Sequence, residues 1–430
     1  TLPSDGVIPN LRDSYFMLTA TLAQTINCAT TDTLAGTIQG ITNNPSANLF
    51  SSCEFKINDV LTSRASEFKT HSTHMKLLTE SYNDQESSLS PLFMDSGKAV
   101  LMHTAADIAV PLPLLRTDAH RNQRKMNSLV FQNYGAATET TGRNGIITYT
   151  TPLQVCVETR FPFMDEVEGG ADMSLLGNTK LTVSFQVNPA LVSEFLTGSD
   201  DFTLANFNVS AFEWVIPIYR GSIPAGISLK RRFMDMYSMR NTNNQLQYQY
   251  QVPSGTQRVM VSFARNNALH VFPCSDAAHF ALGINKSLPI FPYETVGGVG
   301  NAVTYVSTLT SFYINLGNNY PSNPYQLGTA GRNDWMRAYN DYLRFSNSYD
   351  SGEQNIIKSL AQYKRHPVFC FQTTGSENSF GQKTLTIYTT YKGVVPSNTD
   401  ICITCEYQKE LSISYGKGGE VVDTQIALVS

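Results

Sequence analysis

An all-β chain, built as two tandem sandwiches with short helices in its loops, follows from three features of this sequence. Most segments alternate apolar and polar residues with period two. Polar turn signals such as Asn-Asn, Ser-Gly, Gly-Asn, Pro-Ser and Asn-Pro separate them, and helical periodicity is scarce. Many short strands joined by polar loops read as a sandwich or barrel. The 430 residues and 47.6 kDa are roughly two to three times a typical domain, enough for two cores side by side.

Along the chain, HSTHMK followed by Leu77, Leu78 and Tyr82 predicts one short helix around 65–83. LTVSFQVN (181–188) places Leu181, Val183, Phe185 and Val187 on one face of a strand. A boundary is expected near 220–235, where WVIPIYRGSIPAG ends one strand-rich half with prolines and glycines. SLKRRFMDMYSMRNTNN then opens the second half with a basic cluster, and strands are expected to resume at QLQYQYQV. RVMVSFA (258–264) and FYINL (312–316) repeat the alternation with Val259, Val261 and Phe263, then Phe312, Ile314 and Leu316. In RNDWMRAYNDYLRFSN, Trp335, Tyr339 and Leu343 fall at helical spacing, with Asn333 or Asp334 placed to cap the start. GEQNIIKSLAQYKRH (352–366) reads as a second amphipathic turn or two before Pro367. KTLTIYTTY (383–391) and ICITCEY (401–407) close the chain as half-buried strands. The two halves divide as 1–225 and 226–430, each large enough for an eight-stranded sandwich.

Charged residues make up 15% of the chain, below the roughly 25% of an average globular protein. With 21 Tyr and 23 Phe in addition, the composition excludes a disordered chain. A net charge of -4 argues against a chain built around nucleic-acid binding, although a local basic face is compatible with it. No apolar run approaches the ~20 residues of a bilayer span. The opening TLPSDGVIPNLRDSYF lacks the basic and apolar regions of a signal peptide, and Thr as first residue is read as following a removed or unnumbered start.

Catalytic and metal-binding patterns are weak. Seven cysteines are too few and odd in number for a disulfide scaffold, and the Cys402-x-x-Cys405 pair lies in a strand with no second pair or nearby histidine. His71 and His74 form an H-x-x-H on the first expected helix, without the spacing or general base of a metalloprotease helix. No nucleophile elbow or phosphate-binding loop occurs, and the glycines of ETVGGVGNAV (294–303) read as a surface loop. Asp165, Glu166, Glu168 and Asp172 form an acidic stretch whose plainest reading is a solvated loop, with glycoside hydrolysis as the functional alternative. No catalytic residue, cofactor or metal is assigned. Two basic stretches remain: Arg116, Arg121, Arg124 and Lys125 in one polar loop, and Lys230, Arg231, Arg232 and Arg240 at the junction of the halves. They are read either as solvated or salt-bridged residues, or as a positive surface making non-specific contacts to nucleic acid or to an acidic neighbour.

The order of several segments carries a resemblance. FKINDVLTSRASEFKTHSTHMKLLTESYND (55–84), DMSLLGNTKLTVSFQVNP (172–189), VPSGTQRVMVSFARNNA (252–268), LTSFYINLGNNYPSNPY (309–325), RNDWMRAYNDYL (332–343), HPVFCFQTT (366–374) and LTIYTTYKGVVPSNTDICITCEYQKELSIS (385–414) occur in sequence. Together they resemble the double jelly-roll major capsid proteins of the adintovirus and Polinton group of double-stranded DNA viruses. The resemblance implies two tandem eight-stranded jelly rolls and a structural, non-enzymatic role in the virion, assembled inside the host cell. It further implies a pseudo-hexameric homotrimer that packs against neighbouring capsomers in an icosahedral shell, with contacts to penton and minor capsid proteins and to packaged DNA. The terminal stretches, roughly 1–18 and 415–430, are expected to be arms that order only against neighbours. The alternative from another class is a carbohydrate-binding β-sandwich, a lectin or a glycosidase-like protein.

Overall fold

A computed structural model of the chain describes residues 7–28 apart from 12, 40–41, 49–79, 145–157, 179–189, 196–197, 202–220, 228–242, 245–265, 293–296, 304–317 apart from 308, 323–328, 333–346, 360, 363, 367–372, 383–391, 399–417 and 420–428. The first half contains β1 (Val7–Pro9), β2 (Tyr15–Cys28), β3 (Gly40–Ile41), β4 (Phe50–Ile57), β5 (Val60–Ala65), helix α1 (Phe68–Thr79), β6 (Gly145–Val157), β7 (Leu181–Val187), β8 (Leu196–Thr197), β9 (Phe202–Val215) and β10 (Ile218–Arg220). The second half contains β11 (Ser228–Thr242), β12 (Gln247–Val252), β13 (Thr256–Arg265), β14 (Tyr293–Val296), β15 (Thr304–Ser307), β16 (Leu309–Leu316), β17 (Tyr325–Gln326), helix α2 (Trp335–Phe345), β18 (Val368–Gln372), β19 (Lys383–Tyr391), β20 (Thr399–Tyr415) and β21 (Val421–Leu428).

Pairing is antiparallel throughout and nested. In the first half β1 pairs β10, β2 pairs β9, β3 pairs β8 and β4 pairs β7. The second half repeats the scheme, with β11 against β20, β12 against β19, β13 against β18 and β16 against β17. Each half is therefore a long ribbon folded back on itself, and curling such a ribbon gives the two interlocked Greek keys of a jelly roll. Numbering the nested strands of the second half one to eight in chain order, its two sheets run 1-8-3-6 and 2-7-4-5. In the first half the main sheets are β6-β2-β9 and β5-β4-β7. One nest closes at β10 and the next opens at β11.

Local chemistry sets the turns. Asn58 and Asp59 both sit at positive φ (50° and 65°) between β4 and β5, the two-residue loop whose twist matches paired strands. Gly255, at φ 73°, supplies the left-handed position between β12 and β13.

The buried residues form two clusters. The larger fills the second sandwich, from Val259, Val261 and Phe263 on β13 to Phe312 and Ile314 on β16 and Leu385 and Ile387 on β19, with Phe312 stacked on Phe369 at 4.3 Å. The second contains Phe16, Phe50, Phe55 and Phe68, against which Phe185 packs edge-on, its centroid 5.1 Å from that of Phe16. Phe233, Leu411, Ile413 and Tyr415, from β11 and β20, complete this second cluster.

The structure differs from the sequence expectations in several places. The basic stretch at the junction opens no loop: Ser228–Thr242 is a single strand, paired along its whole length with β20. Its charged residues are accommodated by cross-strand partners, which the local sequence does not display. The C-terminal stretch is no free arm, because Val421–Leu428 pairs with Lys409–Tyr415 and Val421 and Ile426 pack on the core that contains Phe16. At the other end Leu11, Phe16 and Leu18 are core residues of the same cluster. The buried stripe of α2 is Trp335, Ala338, Tyr342 and Phe345, one position away from the expected one, with Tyr339 and Leu343 at its margin. Of the two expected caps it is Asn333 whose Oδ1 accepts from the first helical N–H, that of Trp335, at 3.3 Å, while the Asp334 carboxylate accepts from the backbone N–H of Gln326 at 2.9 Å. ICITCEY is buried on both faces rather than one. Of 352–366, only 360 and 363 are described.

Candidate interaction surfaces and the buried polar seam

The basic triplet of β11 is divided by strand geometry. Successive strand residues point to opposite faces, so Lys230 and Arg232 share one face and Arg231 takes the other. Glu410, the cross-strand partner of Arg232, lies 3.3 Å from the Arg232 Nε and 3.7 Å from the Lys230 Nζ. Arg231 opposes Leu411. One carboxylate thus stands between two exposed cations, leaving a small net positive charge on this face. Arg116, Arg121, Arg124 and Lys125 lie outside the described residues.

A second polar arrangement is buried. Helix α1 has the composition of a surface helix, FKTHSTHMKLLT, yet Lys69 to Met75 are all buried. It lies against β4 of the first half and against β11 and β20 of the second. Phe68 at one end belongs to one core and Met75, two turns on, to the other. Between them His74 is fully enclosed, its Nδ1 2.6 Å from Thr404 Oγ1 and its Nε2 2.8 Å from Ser262 Oγ. Thr404 Oγ1 is also 2.9 Å from Ser238 Oγ. Burial, with His71 as a lesser cause, pushes the His74 pKa down to about 3, so the ring is neutral. Over its first half β20 is covered on its even face by this helix and on its odd face by the opposing sheet, and it carries Asp400, Thr404 and Glu406 at buried positions there.

Ion pairs surround the seam. Lys409 Nζ lies 2.5 Å from Asp235 Oδ2 and donates to the Thr62 carbonyl of β5 at 2.8 Å, while the Tyr407 hydroxyl donates to the same Asp235 oxygen at 3.0 Å. Asp235 Oδ1 is buried with no hydrogen-bond partner. Arg240 meets Asp400 at 2.6 Å. Arg258 meets Glu406 at 2.8 Å, donates to the Phe345 carbonyl at the end of α2 and covers that residue's ring. Burial raises the Glu406 pKa against the pull of Arg258. Of these groups the sequence singles out Arg240 alone, as a member of the basic junction stretch, and its pair with Asp400 fits the salt-bridged reading. The one signal for the others is the run of polar residues at alternate positions of β20, which period-two logic assigns to solvent.

The sequence candidates for chemistry are not assembled into a site. Cys402 and Cys405 are three apart on a strand, hence on opposite faces, and both are free and buried. Burial pushes Cys402 up to about 11 and raises Cys405, which makes both poor thiolate sources. Both ring nitrogens of His74 are engaged by hydroxyls. Among the described residues no group of three or more His, Cys, Asp or Glu side chains is placed to hold a metal. The acidic stretch 165–172 and the glycines beyond Val296 lie outside the described residues. No helix among them is long and apolar enough to cross a membrane.

No known protein family's sequence profile matches the chain, and no curated protein matches it in sequence. Solved structures do. A chain of the Sputnik virophage structure, determined by cryo-EM, is similar with a TM-score of 0.56 at 12% identity, over 99% of this chain and 84% of that one. The faustovirus major capsid protein gives 0.49 at 9% identity, over 100% and 87%. The mavirus major capsid protein gives 0.48 at 9% identity, over 99% and 86%. Nested pairing in both halves and the near-complete overlap with the virophage chain agree: the fold is a double jelly roll.

Proposed function

We propose that this chain is a viral major capsid protein, a structural subunit that assembles as a homotrimer of pseudo-hexagonal outline and packs into an icosahedral shell. The observation that carries the reading is the double jelly roll spanning nearly the whole chain, similar over 99% of its length to a chain of a virophage particle. The wide gap in sequence is compatible with a shell subunit, because a shell demands shape and packing rather than a fixed set of reacting groups. Membership of the adintovirus and Polinton group is supported by the order of the seven segments along the chain.

In this reading the chain works as two jelly rolls, 1–225 and 226–430, supported by the change of nest between β10 and β11. Its partners are two further copies, neighbouring capsomers, and penton and minor capsid proteins, and its place is the virion shell. Arg116, Arg121, Arg124 and Lys125, with Lys230, Arg231 and Arg232, are proposed as contacts to neighbouring capsomers or, non-specifically, to packaged DNA. The pairing of Lys230 and Arg232 with Glu410 favours the capsomer contact for the strand triplet.

Light scattering on the purified chain tests the proposal, followed by negative-stain imaging of the peak. A species of about 143 kDa, three times the chain mass of 47.6 kDa, with a hexagonal outline supports it. A stable monomer at capsid-like concentrations overturns it.

A further inference from the structure

The sheet β12-β19-β16-β17 has an inner face of Phe312, Ile314, Leu385 and Ile387 and an outward face of a different character. Gln247, Gln249 and Gln251 project outward from β12, each exposed. They stand opposite Tyr388, Thr386 and Thr384 of β19. Tyr388 in turn stands opposite Tyr313 of β16, the rings stacked with centroids 4.5 Å apart and planes 10° apart. Gln326 extends the face on β17, and the other outward positions of β16 and β19 are Ser, Thr or Asn. Gln251 Nε2 donates to Thr384 Oγ1 at 3.1 Å, so part of the face is a preformed amide and hydroxyl network.

No outward position on these four strands is ionisable apart from the two phenols. Soluble domains place a charged residue at roughly one surface position in three or four. Met and Arg, which enrich protein–protein interfaces along with aromatics, are absent from it as well. What remains is an array of amides, hydroxyls and aromatic rings, exposed at Gln247, Gln249, Gln251, Gln326 and Thr390 and buried at Thr386, with about 4.8 Å between strands and about 7 Å between successive outward residues. An uncharged ligand dense in hydroxyls and carrying C–H faces is complementary to it. Amides and hydroxyls exchange hydrogen bonds with such a ligand, and a ring edge or face covers its C–H surface. A charged ligand finds no counter-charge there.

We propose that this outward sheet face binds neutral oligosaccharide, with Tyr388 and Tyr313 as the apolar contact and Gln247, Gln249 and Gln251 as the hydrogen-bonding groups. The inference goes beyond the capsid reading and does not depend on it, since the face belongs to the single chain.

The test is an array of neutral, sialylated and sulfated oligosaccharides probed with the full chain, followed by titration of the best neutral hit. Retention of neutral over acidic members is the expected result, with Tyr388→Ala binding about tenfold more weakly and Tyr388→Phe within about threefold of the wild type. Gln249→Ala and Thr390→Ala, on exposed positions of the same face, also weaken binding, and they carry the test if Tyr388→Ala fails to fold. Lys180→Ala, at an exposed residue of the first half paired with Asp59, leaves it unchanged. The inference is overturned by retention of no member, by equal binding of wild type and the face variants, or by preference for acidic members. A change in light-scattering mass caused by Tyr388→Ala without oligosaccharide binding also overturns it, since the face is then a contact between copies. The trimer measurement above is read separately, so failure of one reading does not decide the other.

Discussion

The two buried clusters are built on different terms. Apart from Met75 and Leu78 of α1, the cluster of the second sandwich draws on residues between Met236 and Ile403 and its immediate neighbours, and the two sheets that enclose it belong to one nest. The cluster containing Phe16, Phe50 and Phe68 takes Phe233, Leu411, Ile413 and Tyr415 from strands of the other nest, and β21 packs beside them. Long strands explain the difference. Along Ser228–Thr242 and Thr399–Tyr415 the pair is long enough for one end to serve the first core and the other end the second. The halves are topologically separate and energetically coupled.

The largest expected effects lie in the cores. Phe312→Ala removes a fully buried ring from the self-contained cluster and is expected to cost about 3–5 kcal/mol, and Ile413→Ala about 2–5 kcal/mol in the shared one. The two are distinguished by hydrogen exchange. Ile413→Ala accelerates exchange in β2 and β4, far from it in sequence, and unchanged protection there would show that the first core closes without the C-terminal strands. Next comes the ion pair at the seam. Lys409→Met leaves the Asp235 carboxylate buried without its cation and is expected to cost about 3–5 kcal/mol. Adding Asp235→Leu recovers most of that loss in denaturant melts. A double variant as unstable as the single one would show that Lys409 acts through its bond to the Thr62 carbonyl instead.

A smaller effect is set by pH. His74 has a folded pKa of about 3 against an ordinary 6.5, so below pH 6.5 the unfolded chain takes up a proton that the folded chain refuses. Its contribution to stability is complete above pH 6.5 and declines as pH falls toward 3, by about 1.4 kcal/mol per pH unit. The loss at pH 5 is therefore about 2 kcal/mol. Glu406, whose pKa is raised, works in the opposite sense above its ordinary 4.5. The informative quantity is accordingly the wild type compared with His74→Gln. The variant is less stable at pH 7 and its melting temperature falls less steeply between pH 7 and 5; parallel slopes would refute the assignment. The smallest effect is Arg232→Ala. It breaks an exposed pair with Glu410 and is expected to change stability by less than about 1 kcal/mol, with an effect that fades in salt.

Much of this architecture was legible in the chain. Alternation placed strands at 181–188, 258–264, 312–316, 383–391 and 401–407, and helical spacing placed both helices, because periodicity is a local property that survives without its partners. The seam was not legible. FKTHSTHMKLLT reads as a solvated helix, and nothing within it announces that Ser262 and Thr404, nearly two hundred and more than three hundred residues away, satisfy His74. KRRFMDMYSMR reads as a charged junction, and only its pairing with β20 turns it into a strand. The outward Gln and Thr positions of β12 and β19 were visible as alternation, while the stack of Tyr313 on Tyr388 required the register of strands seventy-five residues apart.

By itself the sequence determined the all-β class and the alternating segments. Apolar periodicity and turn chemistry act between neighbours in the chain. Only the tertiary structure decided which strands nest, that the last strands complete the first core, and that a polar helix lies buried between the two. Those outcomes depend on pairing free energies between residues hundreds of positions apart, where a buried hydroxyl or cation is stable only because its partner arrives from the other half.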